Sequence, residues 1–493
     1  MLAHMKGLAG AQARLSLWFR TRIMASKKTM AIFLVAVFVA STTLGAVTVA
    51  ALSGPGNIAL IAFSEDRAME FERALVSMGP RWSGTENEAR TAEFIASEFQ
   101  KAGLKDVKVE DFEEVLWEAN SAEISIVPYN PLGLVPSVRQ SPIAFEHKKD
   151  FVVQGYSGSR GAPNFRFDLL PYWATGDGSN VSHFSGGSGR ACIVEWKEAS
   201  IAGNTVIFNN AWQANCAAVL AHNLVYAEEL GYIPISKGTA QPSTWPNSSY
   251  PDIPFAAISK EMGDSIKAHA GWKVRINFDV TIETRILRVV TGDVKGTVDP
   301  ARFVLVGAHS DNVYVNNGAV DDGVGTSTVL ELAYQLAGLS PKYTIRLATF
   351  AGEEQGLFGS ADWRDAHIEE VNASMIAMLQ FDMNHVDIDR CSDINFYTND
   401  NSTLGALKDT QAKVLAQTPA YGKYTPHVDW ADTSRMGSDM AVFAAIGKPA
   451  LFSFGCGSWE YHTYLDDIER VKPESLAYSG RVFGSFALWL ANR

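Results

Sequence analysis

Phe303-Val304-Leu305-Val306-Gly307-Ala308-His309-Ser310-Asp311 is the stretch that decides the fold of this chain. A short apolar, β-branched run closed by glycine reads as a strand buried on both faces. The same grammar recurs downstream. Residues 327–336 read as a helix, 345–350 as a strand that runs into Glu353-Glu354, and 375–381 as a strand that runs into Asp382. Alternating strands and helices predict an α/β fold, a three-layer αβα domain with helices on both faces of one sheet.

Working outward, residues 63–104 read as helical. Thr85 and Glu88 make a capping box, Ala92, Ile95, Phe99 and Ala102 follow at helical spacing, and Gly103 closes the helix. Residues 107–112 read as a strand. The texture then changes: short β-rich runs alternate with Gly, Ser, Pro and Asn clusters. Within this region 191–194 and 205–208 read as buried strands and 213–230 as one helix. The predicted organisation is a first part of the main domain at 63–120, an inserted β-rich domain at 121–283 and the second part at 284–493. At the other end, residues 1–30 carry six Lys and Arg and no acid, and 31–52 form an apolar run. That is the pattern of a signal peptide or an N-terminal membrane anchor, which predicts an extracytoplasmic protein, secreted or anchored.

Composition bounds the function class. Of 493 residues, 47% are hydrophobic and 19% charged, as in a globular chain of two or three domains. The net charge of −12 argues against a nucleic-acid partner. The four cysteines are scattered with no C-x-x-C, which disfavours a thiolate zinc site and allows a disulfide without requiring one. No H-E-x-x-H helix, G-x-S-x-G elbow or P-loop occurs.

The chemistry lies in acids and histidines at successive strand ends, where an α/β sheet builds its crevice. Two zinc ions side by side need a bridging carboxylate, N and O donors on each ion, and a further carboxylate to move a proton. His309 ends the first strand, with Asp311 two residues on, placed to hold the second ring nitrogen. Asp321 stands in Gly318-Ala319-Val320-Asp321-Asp322-Gly323 at a helix start; it suits a bridging role, though taken alone the motif reads first as an N-cap, which Asp strongly favours. Glu353-Glu354 suit a ligand and a proton carrier, or the favoured acids of a first helical turn. Asp382 and, much later, His462 complete the series. Each residue has a plain structural reading; the set and its order do not.

That ordered set, GAHSD, GAVDDG, GEEQG, FDM and YHT, resembles the M28 family of zinc peptidases, over about residues 65–493. Gly79-Pro80-Arg81-Trp82-Ser83-Gly84-Thr85 is similar to the family's N-terminal Gly-x-Arg-x-Ser-Gly segment, and the insert, with Pro254-Phe255-Ala256-Ala257-Ile258-Ser259, resembles a protease-associated (PA) domain. The resemblance implies a mixed sheet and two zinc ions per chain. His309 and Asp382 would bind one zinc ion, Glu354 and His462 the other, and Asp321 would bridge them, with the Asp321–Asp322 peptide cis as in relatives. Glu353 would be the general base for the metal-bridging water, Asp311 would orient His309, and Tyr461 would hold the oxyanion. Relatives often carry Ser-Asp-His where this chain has Ser438-Asp439-Met440.

The implied activity is hydrolysis of a terminal peptide bond, as an aminopeptidase. A carboxypeptidase or dipeptidase of the same family is the nearest alternative; a glutaminyl-cyclase-like transferase and a receptor-like binding protein are more distant. Arg435, Asn384 and His385 are candidates for the pocket lining, each with a structural reading beside it. Peptide is the expected substrate, and the membrane is expected only through the N-terminal segment.

Overall fold

A computed structural model describes residues 58–129, 141–159, 167–197, 200–240 and 252–493. The expected signal peptide or anchor at 31–52, and the basic segment before it, lie outside these residues. No helix among the described residues is long and apolar enough to cross a membrane.

A ten-stranded mixed sheet is the frame. Its middle strand, Asp299–His309, pairs in parallel with Tyr343–Phe350 on one side and Met375–Phe381 on the other. Phe303, Val304, Leu305 and Val306 are fully buried, so the apolar run marks a strand covered on both faces. Beyond Met375–Phe381 lie Ala450–Gly455, Asp393–Thr398 and Thr425–Trp430; beyond Tyr343–Phe350 lie Lys273–Val294 and Lys105–Val127. Helices Glu65–Val76, Glu86–Ala102, Val324–Leu336 and Pro473–Leu490 pack on one face. Phe358–Ala366, Ile368–Ser374 and Met440–Ala444 pack on the other. The Glu86–Ala102 helix is capped as its sequence predicts: Thr85 accepts from the Glu88 N–H, and Gly103 closes it at φ +98°.

Lys105–Val127 and Lys273–Val294 are long antiparallel partners, and the junctions expected at 120/121 and 283/284 lie within them. Between them a second, five-stranded sheet forms from Phe151–Val153, Phe255–Ile258, Ala218–Asn223, Ala191–Trp196 and Pro171–Trp173. Two expectations fail here. Residues 205–208 belong to the helix Ile201–Gln213, which Ser200 caps by accepting from the Gly203 N–H. The helix expected at 213–230 is instead a turn at Asn215 (φ +59°) followed by the strand Ala218–Asn223. That strand is buried throughout, between two parallel neighbours, and an unbroken apolar run has no alternation to distinguish it from a helix.

The cysteines form two disulfides. Cys192–Cys216 closes the core of the second sheet, and Cys391–Cys456 ties the loop after Ala450–Gly455 to the start of Asp393–Thr398.

Candidate active site

The chain leaves Asp299–His309 toward Tyr343–Phe350 on one side and returns to Met375–Phe381 on the other. A crevice therefore opens at the carboxyl ends of these strands, the usual ligand site of such sheets. All five residues expected to hold metal converge there, and all are buried. His309, Asp321 and Asp382 offer ligand atoms within 4.8 Å of one another, and so do Asp321, Glu354 and His462. Asp321 belongs to both groups, with Oδ1 3.1 Å from His309 Nε2 and Oδ2 3.0 Å from His462 Nε2. Glu354 Oε2 lies 3.0 Å from His462 Nε2, and its Oε1 has no hydrogen-bond partner.

The ring nitrogens on the far side decide what this arrangement can hold. His309 Nδ1 faces the Asp311 carbonyl oxygen at 3.1 Å, and His462 Nδ1 faces the Ser236 carbonyl oxygen at 2.5 Å. A carbonyl oxygen only accepts, so each Nδ1 donates to it, and each Nε2 is left facing carboxylate oxygens. At about 3 Å from anionic oxygens each Nε2 needs a positive centre beside it, either a proton on the ring or a metal ion held between ring and carboxylate. With two imidazoles, three carboxylates and one orphaned oxygen, the donor set fits zinc.

The excess of carboxylates draws positive charge onto the rings, the charge a bound cation would supply instead. Burial pulls the His309 imidazole down, but Asp311, Asp321 and Asp382 outweigh it and hold it well above its ordinary value. Asp321 is driven low: burial alone would raise it, and His309 and His462 reverse that. Burial pushes Glu353 well above the carboxylate range, reinforced by Glu354, Asp382 and Asp439. Tyr461 is likewise pushed up by burial and by the neighbouring carboxylates, Asp321 first.

Asp321 and Asp322 have different tasks. The Asp322 carboxylate fixes backbone: it accepts from the N–H groups of Gly325 at 2.9 Å, Met383 at 3.0 Å and His309 at 3.3 Å, while Gly323 holds the N-cap position of the following helix. The peptide between the two aspartates is cis, and the Asp321 carboxylate faces the two histidines. Asp466 accepts from the N–H groups of Val320 at 2.7 Å and Asp321 at 3.1 Å. Asp311 accepts from Ser83 Oγ at 2.8 Å and from the N–H groups of Glu353 and Glu354 at 3.3 and 3.4 Å, so it ties the first ligand loop to the third. The Arg81 guanidinium donates to the carbonyls of Ser310, Asn317 and Gly318. Residues 81–83 thus clamp the ligand loops. Their motif was visible in the sequence, but their task was not.

A cavity of about 550 Å³ opens onto the set, lined by Asp321, Glu353, Asp382 and His462 and walled by Met383, Phe452, Phe454 and Trp459. Three expected lining residues lie elsewhere. Arg435 points to solvent and pairs with Asp432. Asn384 is buried and donates to Thr328 and Ser479, and His385 is buried, its imidazole pulled down to about 4 by desolvation. Met440 packs among Phe350, Met378 and Phe443. Lys237, which no sequence signal singled out, does line the cavity.

Comparison with known proteins agrees with this geometry. Residues 290–487 match the family model described as Peptidase family M28. An aminopeptidase of Bacillus subtilis is 25% identical over 412 residues, 82% of this chain and 80% of that protein. A probable glutamate carboxypeptidase of Arabidopsis thaliana is 30% identical over 210 residues, 39% of this chain and 30% of that protein. The chain spans about a third of the length of this and several other curated relatives. Among solved structures, a zinc aminopeptidase from Bacillus subtilis shares the fold at a TM-score of 0.65 and 21% identity, over 86% of this chain and 94% of that one.

Proposed function

We propose, from the premise that residues 290–487 are a peptidase family M28 domain, that this chain is a zinc-dependent exopeptidase acting as an aminopeptidase. The observation that carries the reading is the pair of buried donor groups that share Asp321. His309 and Asp382 would hold one zinc ion, Glu354 and His462 the other, and Asp321 would bridge them, two ions per chain. When bound, zinc supplies Lewis acidity and makes water a nucleophile near neutral pH. Glu353, on the cavity wall, takes the proton of the attacking water and returns it to the leaving amine. Asp311 keeps the His309 ring in register, and the Tyr461 phenol donates to the scissile carbonyl oxygen as it becomes anionic.

The aminopeptidase assignment is supported by the Bacillus subtilis relative, which matches about four-fifths of both chains. Phe452 and Phe454 project from one face of the strand Ala450–Gly455, their rings 5.9 Å apart, and with Met383 and Trp459 they make an apolar wall suited to a large apolar side chain. The second sheet and its helices are read as a PA-like domain. The two disulfides support an oxidising, extracytoplasmic setting, with residues 31–52 as the export signal or anchor.

The test is a panel of free, amino-blocked and carboxy-blocked dipeptides, with zinc counted per chain. Cleavage of free and carboxy-blocked substrates, sparing of amino-blocked ones and two zinc ions are expected. The opposite blocking pattern would make the protein a carboxypeptidase. One zinc ion would favour the cyclase-like transferase, and none the binding protein.

A further inference from the structure

One wall of the catalytic cavity comes from the insert. Its loop at 233–240 meets the last metal-binding loop through a two-way clasp: the Ser236 N–H donates to the His462 carbonyl at 2.8 Å, and His462 Nδ1–H donates to the Ser236 carbonyl. One residue on, the Lys237 ammonium donates to the Tyr461 hydroxyl oxygen and lies 4.8 Å from the centre of that ring. Tyr461 in turn stacks on the His462 imidazole at 3.8 Å. The loop is held from behind by fully buried residues of the insert. Gln154 accepts from the Lys237 N–H at 2.9 Å and donates to the Ile235 carbonyl at 3.1 Å, and Asn204 donates to the Gly238 carbonyl at 3.2 Å. Among the described residues Lys237 is the only Lys or Arg lining the cavity.

We propose that Lys237 is a positioning residue for hydrolysis: its ammonium donates to the Tyr461 oxygen and so leaves the single phenol proton to point at the scissile carbonyl oxygen. An ammonium has donors only, so the phenol oxygen must accept, and its own proton is then free for another partner. A cationic donor also polarises the phenol, which strengthens the bond it gives to a developing oxyanion. The insert is on this view part of the catalytic machinery. The proposal rests on the peptidase reading above.

The test uses the zinc-loaded full chain and four variants: Lys237→Met, Lys237→Arg, Tyr461→Phe and the Lys237→Met/Tyr461→Phe double. Three quantities are read: kcat, KM and, by calorimetry, the Kd of a phosphinate dipeptide that mimics the tetrahedral intermediate. Tyr461→Phe should lower kcat by ~10²-fold, as loss of an oxyanion donor does. Lys237→Met should lower kcat by ~10-fold with KM nearly unchanged, and weaken phosphinate binding by a similar factor, because only the transition state uses the bond. Lys237→Arg should recover most of the loss. The double variant should be no worse than Tyr461→Phe alone, since the two residues act through one bond. Multiplying losses in the double would overturn the proposal, as would a raised KM at constant kcat, which would make Lys237 a substrate reader. Should Lys237→Met fail to fold, Lys237→Gln carries the same comparison. A wild-type chain inactive on every dipeptide would overturn the peptidase reading and this proposal together; an active one with multiplying losses overturns this proposal alone.

Discussion

At the scale of single residues, the site shows how neighbours of one type are made different by what they face. Asp322 spends its carboxylate on three backbone N–H groups, while Asp321, next in the chain, meets two imidazoles. Glu354 lies against His462, whereas Glu353 stands on the cavity wall. A carboxylate outside the ligand pairs and open to the cavity is the one free to carry a proton. Glu353→Gln is therefore expected to keep zinc bound and the fold intact while lowering kcat by roughly 10²–10⁴-fold, the usual worth of a general base. Steady-state kinetics with zinc analysis of the same sample checks this; near-normal turnover would remove Glu353 from that role.

At the scale of elements, the geometry comes from strands that end together. His309 is the last residue of its strand, Asp382 follows the next parallel strand directly, and Glu353 opens a short helix three residues after Phe350. The loop that carries Asp321 needs a glycine. Gly318 sits at φ +58°, and a Cβ there would meet Asn312 Cβ at 2.3 Å and the Asp321 carbonyl at 2.8 Å. Gly318→Ala should cost on the order of 2–3 kcal/mol, because backbone strain and a clash with fixed atoms add. It should also loosen zinc binding, since Asp321 is displaced with the loop. Denaturant unfolding and a zinc competition titration would read the two effects, and an unchanged midpoint would show that the loop yields easily.

At the scale of the whole molecule, zinc and fold should be linked. Buried carboxylates gathered round two histidines repel one another when no cation is present, so metal that binds only the folded chain should stabilise it. A hundredfold excess of free zinc over its Kd is worth roughly 3 kcal/mol. Chelation is expected to abolish activity and lower Tm, and added Zn²⁺ to restore both. Full activity after confirmed metal loss would contradict the metal-dependent reading.

What could be read from the sequence, and what could not, divides along a physical line. Strands 303–306 and 375–381, the Thr85 cap and the Gly103 stop are local features, dictated by periodicity, capping and backbone freedom within a few residues. The sequence by itself therefore determined the α/β frame and the order of the acids and histidines at its strand ends. It misread Ala218–Asn223, because burial on both faces erases the alternation that marks a strand. Only the tertiary structure decided which of Asp321 and Asp322 faces the histidines and which binds backbone N–H groups, that Arg81 and Ser83 clamp the ligand loops, and that Ser236 and Lys237 close the site. The clasp between Ser236 and His462 joins residues 226 positions apart. No local preference encodes such a contact; it exists only once the sheet and the insert have folded against each other and the buried polar groups of each loop must find partners.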